Sequence, residues 1–309
     1  CQALRSCTSP LQSGLMTPQA YCAEKSASAS SSFTAAFRLL DPRRRAAMEA
    51  LYAFCREVDD VADDCSDQAV AQTTLNWWRS QLVTRADLAD RPDQAAAANA
   101  TGAVCHPVIQ ALGPVIDDFD LPIDDLALII SGVERDLYPL QFSDWSALDD
   151  YCDQVAGAVG RLSARIFGRV DEAVLRYASR LGLALQYTNI LRDIGEDARR
   201  QRVYLPDSLL QAHGLHRTDV LSLSENLQLT AALAELAQRA HALYDQALAD
   251  LPSWAVAQQR PGLVMAAIYR DLLKVIQESN YQVLHQRIAL TPSRKLWLGL
   301  KTMAGWLPR

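Results

Sequence analysis

The chain has 309 residues, half of them hydrophobic, and a formal net charge of −6. That length supplies one large or two ordinary domains, and the acidic balance leaves no basic footprint for nucleic acid. No apolar run reaches the roughly 20 residues that span a bilayer. Alanine and leucine dominate, glycine is scarce and β-branched alternation is nearly absent, so composition predicts an all-α protein. Seven scattered cysteines without a C-x-x-C pair read as reduced thiols in a cytoplasmic protein, with Cys55 and Cys152 as small core residues.

In chain order, residues 1–15 are rich in Ser, Thr and Gln, lack a signal-peptide core and read as a disordered extension. Met16 opens a helix-like stretch, and a short helix is expected through Phe33 and Phe37. Asp41-Pro42 reads as the cap and first turn of a helix from Arg43 to Asp64. A helix over 67–88 carries Trp77 and Trp78, and the Ala/Asp/Pro/Asn-rich segment 89–101 reads as a loop. Further helices are expected over 103–118, 123–138, 144–168 and 171–197, with Pro122 placed at a helix start. A loop bearing Arg199, Arg200, Arg202 and Pro206 precedes helices over 225–250 and 258–285. No linker or repeat interrupts the pattern, so residues 16–295 read as one helical domain followed by an amphipathic tail over 296–309. In and beside that tail, Leu296, Trp297, Leu298, Leu300, Met303 and Trp306 accompany Arg294, Lys295, Lys301 and Arg309. Such a segment either lies at a lipid interface or packs on the body as a terminal helix.

Two acidic patterns carry the chemistry. Gln186, Asn189, Asp193 and Asp197 follow one another at helical spacings of three and four, among Leu181, Leu185, Ile190, Leu191 and Ile194. They stack on one face of a helix that is apolar elsewhere. Carboxylates facing inward are costly to desolvate unless a cation or charged ligand meets them. The second pattern is Asp59-Asp60-Val61-Ala62-Asp63-Asp64, where Asp59 pairs with Asp63 and Asp60 with Asp64; spacing alone does not choose between the pairs. Neither pattern contains His or Cys, and an all-oxygen set suits Mg²⁺, which commonly shares its shell with substrate phosphates. The plainer readings are a solvated acidic face for residues 57–64 and a helix end at Asp197 facing water. Gly157 and Gly160 lie in a helical stretch, where close helix packing or the wall of a pocket for a bulky apolar substrate would explain them. No dinucleotide or phosphate-binding loop is present, and five dispersed histidines give no zinc site.

These residues resemble the squalene/phytoene synthase family, head-to-head prenyl synthases with an all-helical, isoprenoid-synthase-type bundle around a central cavity. The resemblance covers about residues 17–295 in five blocks. They include the two acidic motifs, Tyr151-Cys152 leading into Val155-Ala156-Gly157-Ala158-Val159-Gly160, and Arg202-Val203-Tyr204-Leu205-Pro206. Phe54-Cys55-Arg56-Glu57-Val58-Asp59-Asp60-Val61 is most similar to the bacterial presqualene diphosphate synthase branch of squalene and hopanoid pathways. Thr34-Ala35 departs from the aromatic pair typical of that branch.

The resemblance selects Asp59 with Asp63, and it implies that these two and Asn189, Asp193 and Asp197 bind Mg²⁺, or Mn²⁺ in its place. It implies that Ser30, Ser32, Arg56 and Arg192 contact diphosphate. Phe33, Phe37, Tyr52, Val155, Ala156, Val159, Gly160, Leu185, Gln186 and Tyr204 would line the prenyl cavity, and Tyr269 would face the diphosphates. The implied reaction joins two farnesyl diphosphates into presqualene diphosphate, with Tyr52 or released diphosphate as base and no NADPH. Phytoene, dehydrosqualene or full squalene synthesis are the alternatives within the family, and a catalytically silent binding or assembly protein is the alternative outside it. Implied partners are farnesyl diphosphate and downstream squalene-forming enzymes; the lipid-interface reading of the tail would add peripheral association at the inner membrane face, and the acidic balance excludes nucleic acid.

Overall fold

Asp41 fixes where the first long helix begins. Its carboxylate accepts the backbone N–H groups of Arg43 and Arg44, both at 3.1 Å, and Pro42 supplies a pre-set φ at the first helical position. The helix runs Pro42–Asp64 and buries Met48, Leu51, Phe54, Val58 and Val61, which recur at intervals of three and four. Asp59 and Asp63 therefore lie off the buried stripe. The computed structural model describes residues 16–28, 37, 40–89, 106–224 and 226–307, and every regular element among them is helical.

The described residues up to 138, together with 165–167, form one compact unit. Its helices are α1 (Pro18–Ser28), α2 (Pro42–Asp64), α3 (Gln68–Ala89), α4 (Pro107–Phe119) and α5 (Ile123–Arg135). α2 packs against all four others. Trp78 is fully buried, with its ring edge-on to Phe54 at 5.8 Å and to His106 at 4.7 Å. His106 Nδ1 caps α4 by accepting the Val108 N–H at 3.2 Å. Burial lowers its pKa to about 4, which keeps the ring neutral near pH 7 and able to accept that bond.

Residues 139–164 and 168 onward form the second unit. It contains α6 (Trp145–Cys152), a π-helical turn (Asp153–Gly157), most of α7 (Ala158–Phe167), α8 (Glu172–Arg199), α9 (Asp207–Ala212), α10 (Arg217–Leu221), α11 (Leu227–Asp250), α12 (Arg260–Glu278) and α13 (Pro292–Met303). α8 is the axis of this unit, packed against α11, the π turn and α12. A Cβ on Gly182 would lie 2.4 Å from the Ala156 carbonyl oxygen, and one on Gly160 would lie 2.3 Å from that of Ala178. The backbones thus touch, and only glycine permits it. Packing therefore accounts for Gly160. On the α11 side, the hydroxyls of Thr188 and Tyr244 bond at 3.0 Å inside the core. Tyr187 donates to Asp149 at 2.6 Å, and Arg239 pairs with Asp149 while lying over the Trp145 ring.

The departures from the sequence reading have local causes. The single helix expected over 144–168 is interrupted by the π turn, where the Asp153 carboxylate occupies the space above Gly157 and accepts Ser179 at 2.6 Å and Arg161 at 2.7 Å. The helix expected to reach 285 stops at Glu278, because Asn280 and Tyr281 take φ values of 54° and 58° and turn the chain away. α9 and α10 are only six and five residues long, too short to show a period. α4 begins at Pro107, four residues later than expected, because His106 caps it. Cys65 is disulfide-bonded, which corrects the expectation of reduced thiols throughout; spacing in sequence does not show which sulfurs folding brings within reach. Cys22, Cys55 and Cys152 are free. The expectations for residues 1–15, for Phe33 and for most of the 89–101 loop lie outside the described residues.

The backbone contact at Gly182 has a measurable consequence. Gly182→Ala should destabilise the protein by about 1–3 kcal/mol through overpacking, despite the helix propensity that alanine gains. Urea unfolding followed by circular dichroism measures it, and an unchanged midpoint would show that the contact has slack.

Candidate active site

The polar stripe on α8 is real and partly buried. Asp171 caps the helix by accepting the Val174 N–H at 2.9 Å, and the chain then winds unbroken past Gln186, Asn189, Asp193 and Asp197. Asp193 accepts Arg192 Nε at 2.8 Å and Arg287 Nε at 2.9 Å. Burial would raise its pKa, but the bonds and charges of these two arginines hold the carboxyl below its usual range. Asp197 has the opposite balance: burial, then the charge of Asp193, push its pKa up to about 7. Its side chain is only partly open to solvent, so a freely solvated helix end does not describe it.

Asn189 donates to Gln186 at a long 3.4 Å, while its own Oδ1 is buried and has no hydrogen-bond partner. An orphaned amide oxygen costs free energy, and it sits one helical turn before Asp193. Together with the two carboxylates it makes an oxygen donor set that fits a hard divalent cation. Among the described residues no three His, Cys, Asp or Glu side chains converge at metal-holding range. A cation held here would therefore need water or an anionic ligand to complete its shell.

On α2, Tyr52, Arg56, Asp59 and Asp63 follow at intervals of four, three and four and share a face. The Tyr52 ring is edge-on to buried Phe37 at 6.2 Å. Asp60 is engaged elsewhere, by Lys25 at 2.9 Å and Arg56 at 2.8 Å. Buried Glu57 accepts the Tyr21 hydroxyl at 2.6 Å and Lys25 at 2.7 Å. These bonds tie Asp60 both to α1 and to Arg56 on its own helix. Asp59 is open to solvent, yet desolvation by the surrounding protein, then the charges of Asp136, Asp63 and Asp60, raise its pKa to about 7 against the pull of Arg56.

The remaining expected residues gather around α8. Val155 and Ala156 stand on the π turn, Val159 and Gly160 on α7, and Leu185 and Gln186 on α8 itself, all half-buried. Tyr269 on α12 hydrogen-bonds Arg192. Tyr204 packs on Tyr151 at 5.5 Å and Phe142 at 6.2 Å, and it lines a narrow crevice of about 10 Å³ with Asp197 and Arg202. Ser30, Ser32 and Phe33 lie outside the described residues.

Sequence reasoning missed Lys25 and Arg287. Only Gly195, between the acids of the second motif, carried a signal for Arg287. A Cβ there would lie 2.1 Å from the Leu284 carbonyl oxygen, which also accepts Arg199 at 2.9 Å. The missing side chain lets residues 283–284 lie on α8 and brings Arg287 to Asp193.

With this geometry in place, comparison with known proteins is decisive. Residues 26–294 match the family model described as squalene/phytoene synthase. The chain belongs to the squalene/phytoene synthase family. It is 36% identical over 278 residues to presqualene diphosphate synthase of Zymomonas mobilis, covering 87% of this chain and 89% of the relative. It is 30% identical over 281 residues to phytoene synthase 2 of Solanum lycopersicum, covering 89% and 86%. A crystal structure of a dehydrosqualene synthase in complex with ligand superimposes with a TM-score of 0.77 at 27% identity, covering 93% of this chain and 95% of that one. The chain is thus an enzyme of prenyl transfer with the isoprenoid-synthase helical fold, and the catalytically silent alternative is set aside.

The raised carboxyls set a pH window. A group whose folded pKa rises from 3.8 to about 7 contributes stability below pH ~4 that is lost as pH climbs through 7. A divalent cation on these carboxylates should offset that loss. Mg²⁺ should therefore raise the melting temperature at pH 8 and have little effect at pH 5, and Asp197→Asn should shrink the pH 8 shift. Equal shifts at both pH values would show that the cation binds elsewhere.

Proposed function

We propose that the enzyme condenses two farnesyl diphosphates head to head into presqualene diphosphate, releasing one diphosphate and one proton. The observation that carries this reading is the α8 ladder, in which orphaned Asn189 Oδ1 stands in line with Asp193 and Asp197 and beside Arg192. The similarity to presqualene diphosphate synthase over most of the chain supports the choice of substrate and product. Asn189, Asp193 and Asp197 on α8, and Asp59 and Asp63 on α2, would each hold Mg²⁺, with Mn²⁺ able to replace it. Bound there, the ion supplies positive charge against the diphosphate as the allylic C–O bond breaks.

The chain's own residues would do the rest. Arg56 and Arg192 would present planar forks to the diphosphate oxygens, a geometry that lysine lacks. Ser30 and Ser32 would add hydroxyl donors. Val155, Ala156, Val159, Leu185 and Tyr204, with Phe33 and Phe37, would hold prenyl chains and exclude water from the allylic cation, so that the double bond of the second substrate captures it first. Loss of a proton to Tyr52 or to released diphosphate then closes the cyclopropane. No nicotinamide enters this reaction.

The similarity to a phytoene synthase supports a second reading, the same condensation on geranylgeranyl diphosphate. Incubating the purified enzyme with either diphosphate and Mg²⁺, with and without NADPH, separates the readings by mass spectrometry. Presqualene diphosphate from the C15 substrate, at a rate indifferent to NADPH, is expected. Squalene appearing only with NADPH, or phytoene from the C20 substrate, would replace the proposal. EDTA should abolish turnover, and Asp59→Asn, Asp193→Asn, Arg56→Lys and Arg192→Lys should each lower it by at least tenfold while circular dichroism stays helical.

A further inference from the structure

The sequence left two readings of the C-terminal segment, a lipid-facing helix or a helix packed on the body, and the structure gives it a face for each. α13 begins at Thr291, whose hydroxyl accepts the Arg294 N–H at 3.3 Å. One side of the helix buries Leu298 and Thr302 and packs on α12, and Arg294 pins it there through Asp271 at 2.8 Å. The opposite side carries Leu296, Trp297 and Leu300, which are 65%, 56% and 62% exposed. At about 100° per residue these three fall within one arc of roughly 100°, with Lys295 on one flank and Lys301 on the other. Lys301 Nζ stands 4.8 Å from the Trp297 ring centroid and 4.1 Å from that of Trp306, which holds both indoles beside a cation.

We propose that this face docks the enzyme on a bilayer with anionic headgroups. Charge chooses the occupant. Residues 291–309 contain Arg294, Lys295, Lys301 and Arg309 and no acid, in a chain whose net charge is −6. A second copy seated on the same patch would set Lys295 and Lys301 against their own counterparts with no carboxylate in the segment between them. A leaflet of anionic lipid supplies the missing negative charge, takes the exposed Trp297 indole at headgroup depth and accepts the two leucines below it. No helix among the described residues is long and apolar enough to cross a membrane, so the contact is peripheral. The helix is tied to the candidate site: Arg287, which holds Asp193, lies five positions before Pro292, and the Asp271 that anchors Arg294 follows Tyr269 by two. Docking thus places lipid beside a site read as handling prenyl chains, though the surface itself does not depend on that reading.

Co-sedimentation of the full chain with sucrose-loaded vesicles tests the proposal without reference to turnover. Vesicles of 70% phosphatidylcholine and 30% phosphatidylglycerol should pull down the protein at low salt. Binding should fall at least tenfold on pure phosphatidylcholine or at 0.5 M NaCl. The triple variant Leu296→Ser, Trp297→Ser, Leu300→Ser should lose binding, and Lys295→Glu with Lys301→Glu should weaken it. Leu296, Trp297 and Leu300 lie on the side away from the buried Leu298 and Thr302, and an unchanged circular dichroism spectrum checks the fold of both variants. Failure of the parent to sediment with either vesicle, or binding by the triple variant equal to the parent, would overturn the proposal. So would a parent dimer in light scattering that the triple variant converts to monomer, because the face would then belong to a second copy.

Discussion

Carboxylates brought together on partly desolvated helix faces are the constraint around which each half of this enzyme is organised. Such groups repel one another and lose hydration, so each must find a cation, take up a proton or receive a ligand. On α8 the balance is uneven: Arg192 and Arg287 hold Asp193 ionised, whereas Asp197 is left with a pKa near neutrality. On α2, Lys25 and Arg56 engage Asp60, and Asp59 is raised in the same way. In both helices part of the acidic set is neutralised from within the protein and part is left high in energy. On the proposed function, a metal–diphosphate ligand would stabilise these raised carboxyls in their ionised form.

Holding this arrangement requires rigid helices at close range. Gly182 and Gly160 let the π turn and α7 press their backbones against α8, and Gly195 does the same for the strand of chain at 283–284. Each removed Cβ shortens a backbone separation and so fixes the rotation of α8 about its axis. The Thr188–Tyr244 bond and the Asp149–Tyr187–Arg239 group brace its other side. A helix fixed on several sides keeps Asn189, Asp193 and Asp197 in line although the bare carboxylates oppose it. On α13 one face packs on α12 and the opposite face carries exposed Leu296, Trp297 and Leu300.

The helical class, most helix positions and both acidic motifs were legible in the sequence, because the 3.6-residue period and the capping chemistry of Asp41-Pro42 are local properties. The alignment of Asn189, Asp193 and Asp197 followed from spacing alone, since residues four apart on one helix have no other arrangement. Spacing could not separate Asp59 with Asp63 from Asp60 with Asp64, a choice that only the resemblance made, and it could not show that Asp60 is engaged by Lys25, which arrives from a helix more than thirty residues away. Arg287 was invisible for the same reason, ninety-four positions from the Asp193 it holds. The π turn, the stop at Glu278 and the bonded Cys65 also escaped the sequence, because each depends on which groups meet across the fold. Sequence periodicity determined which residues share a helix face. Only the folded chain decided which charges on those faces are answered, because Coulomb energy and desolvation depend on neighbours in space.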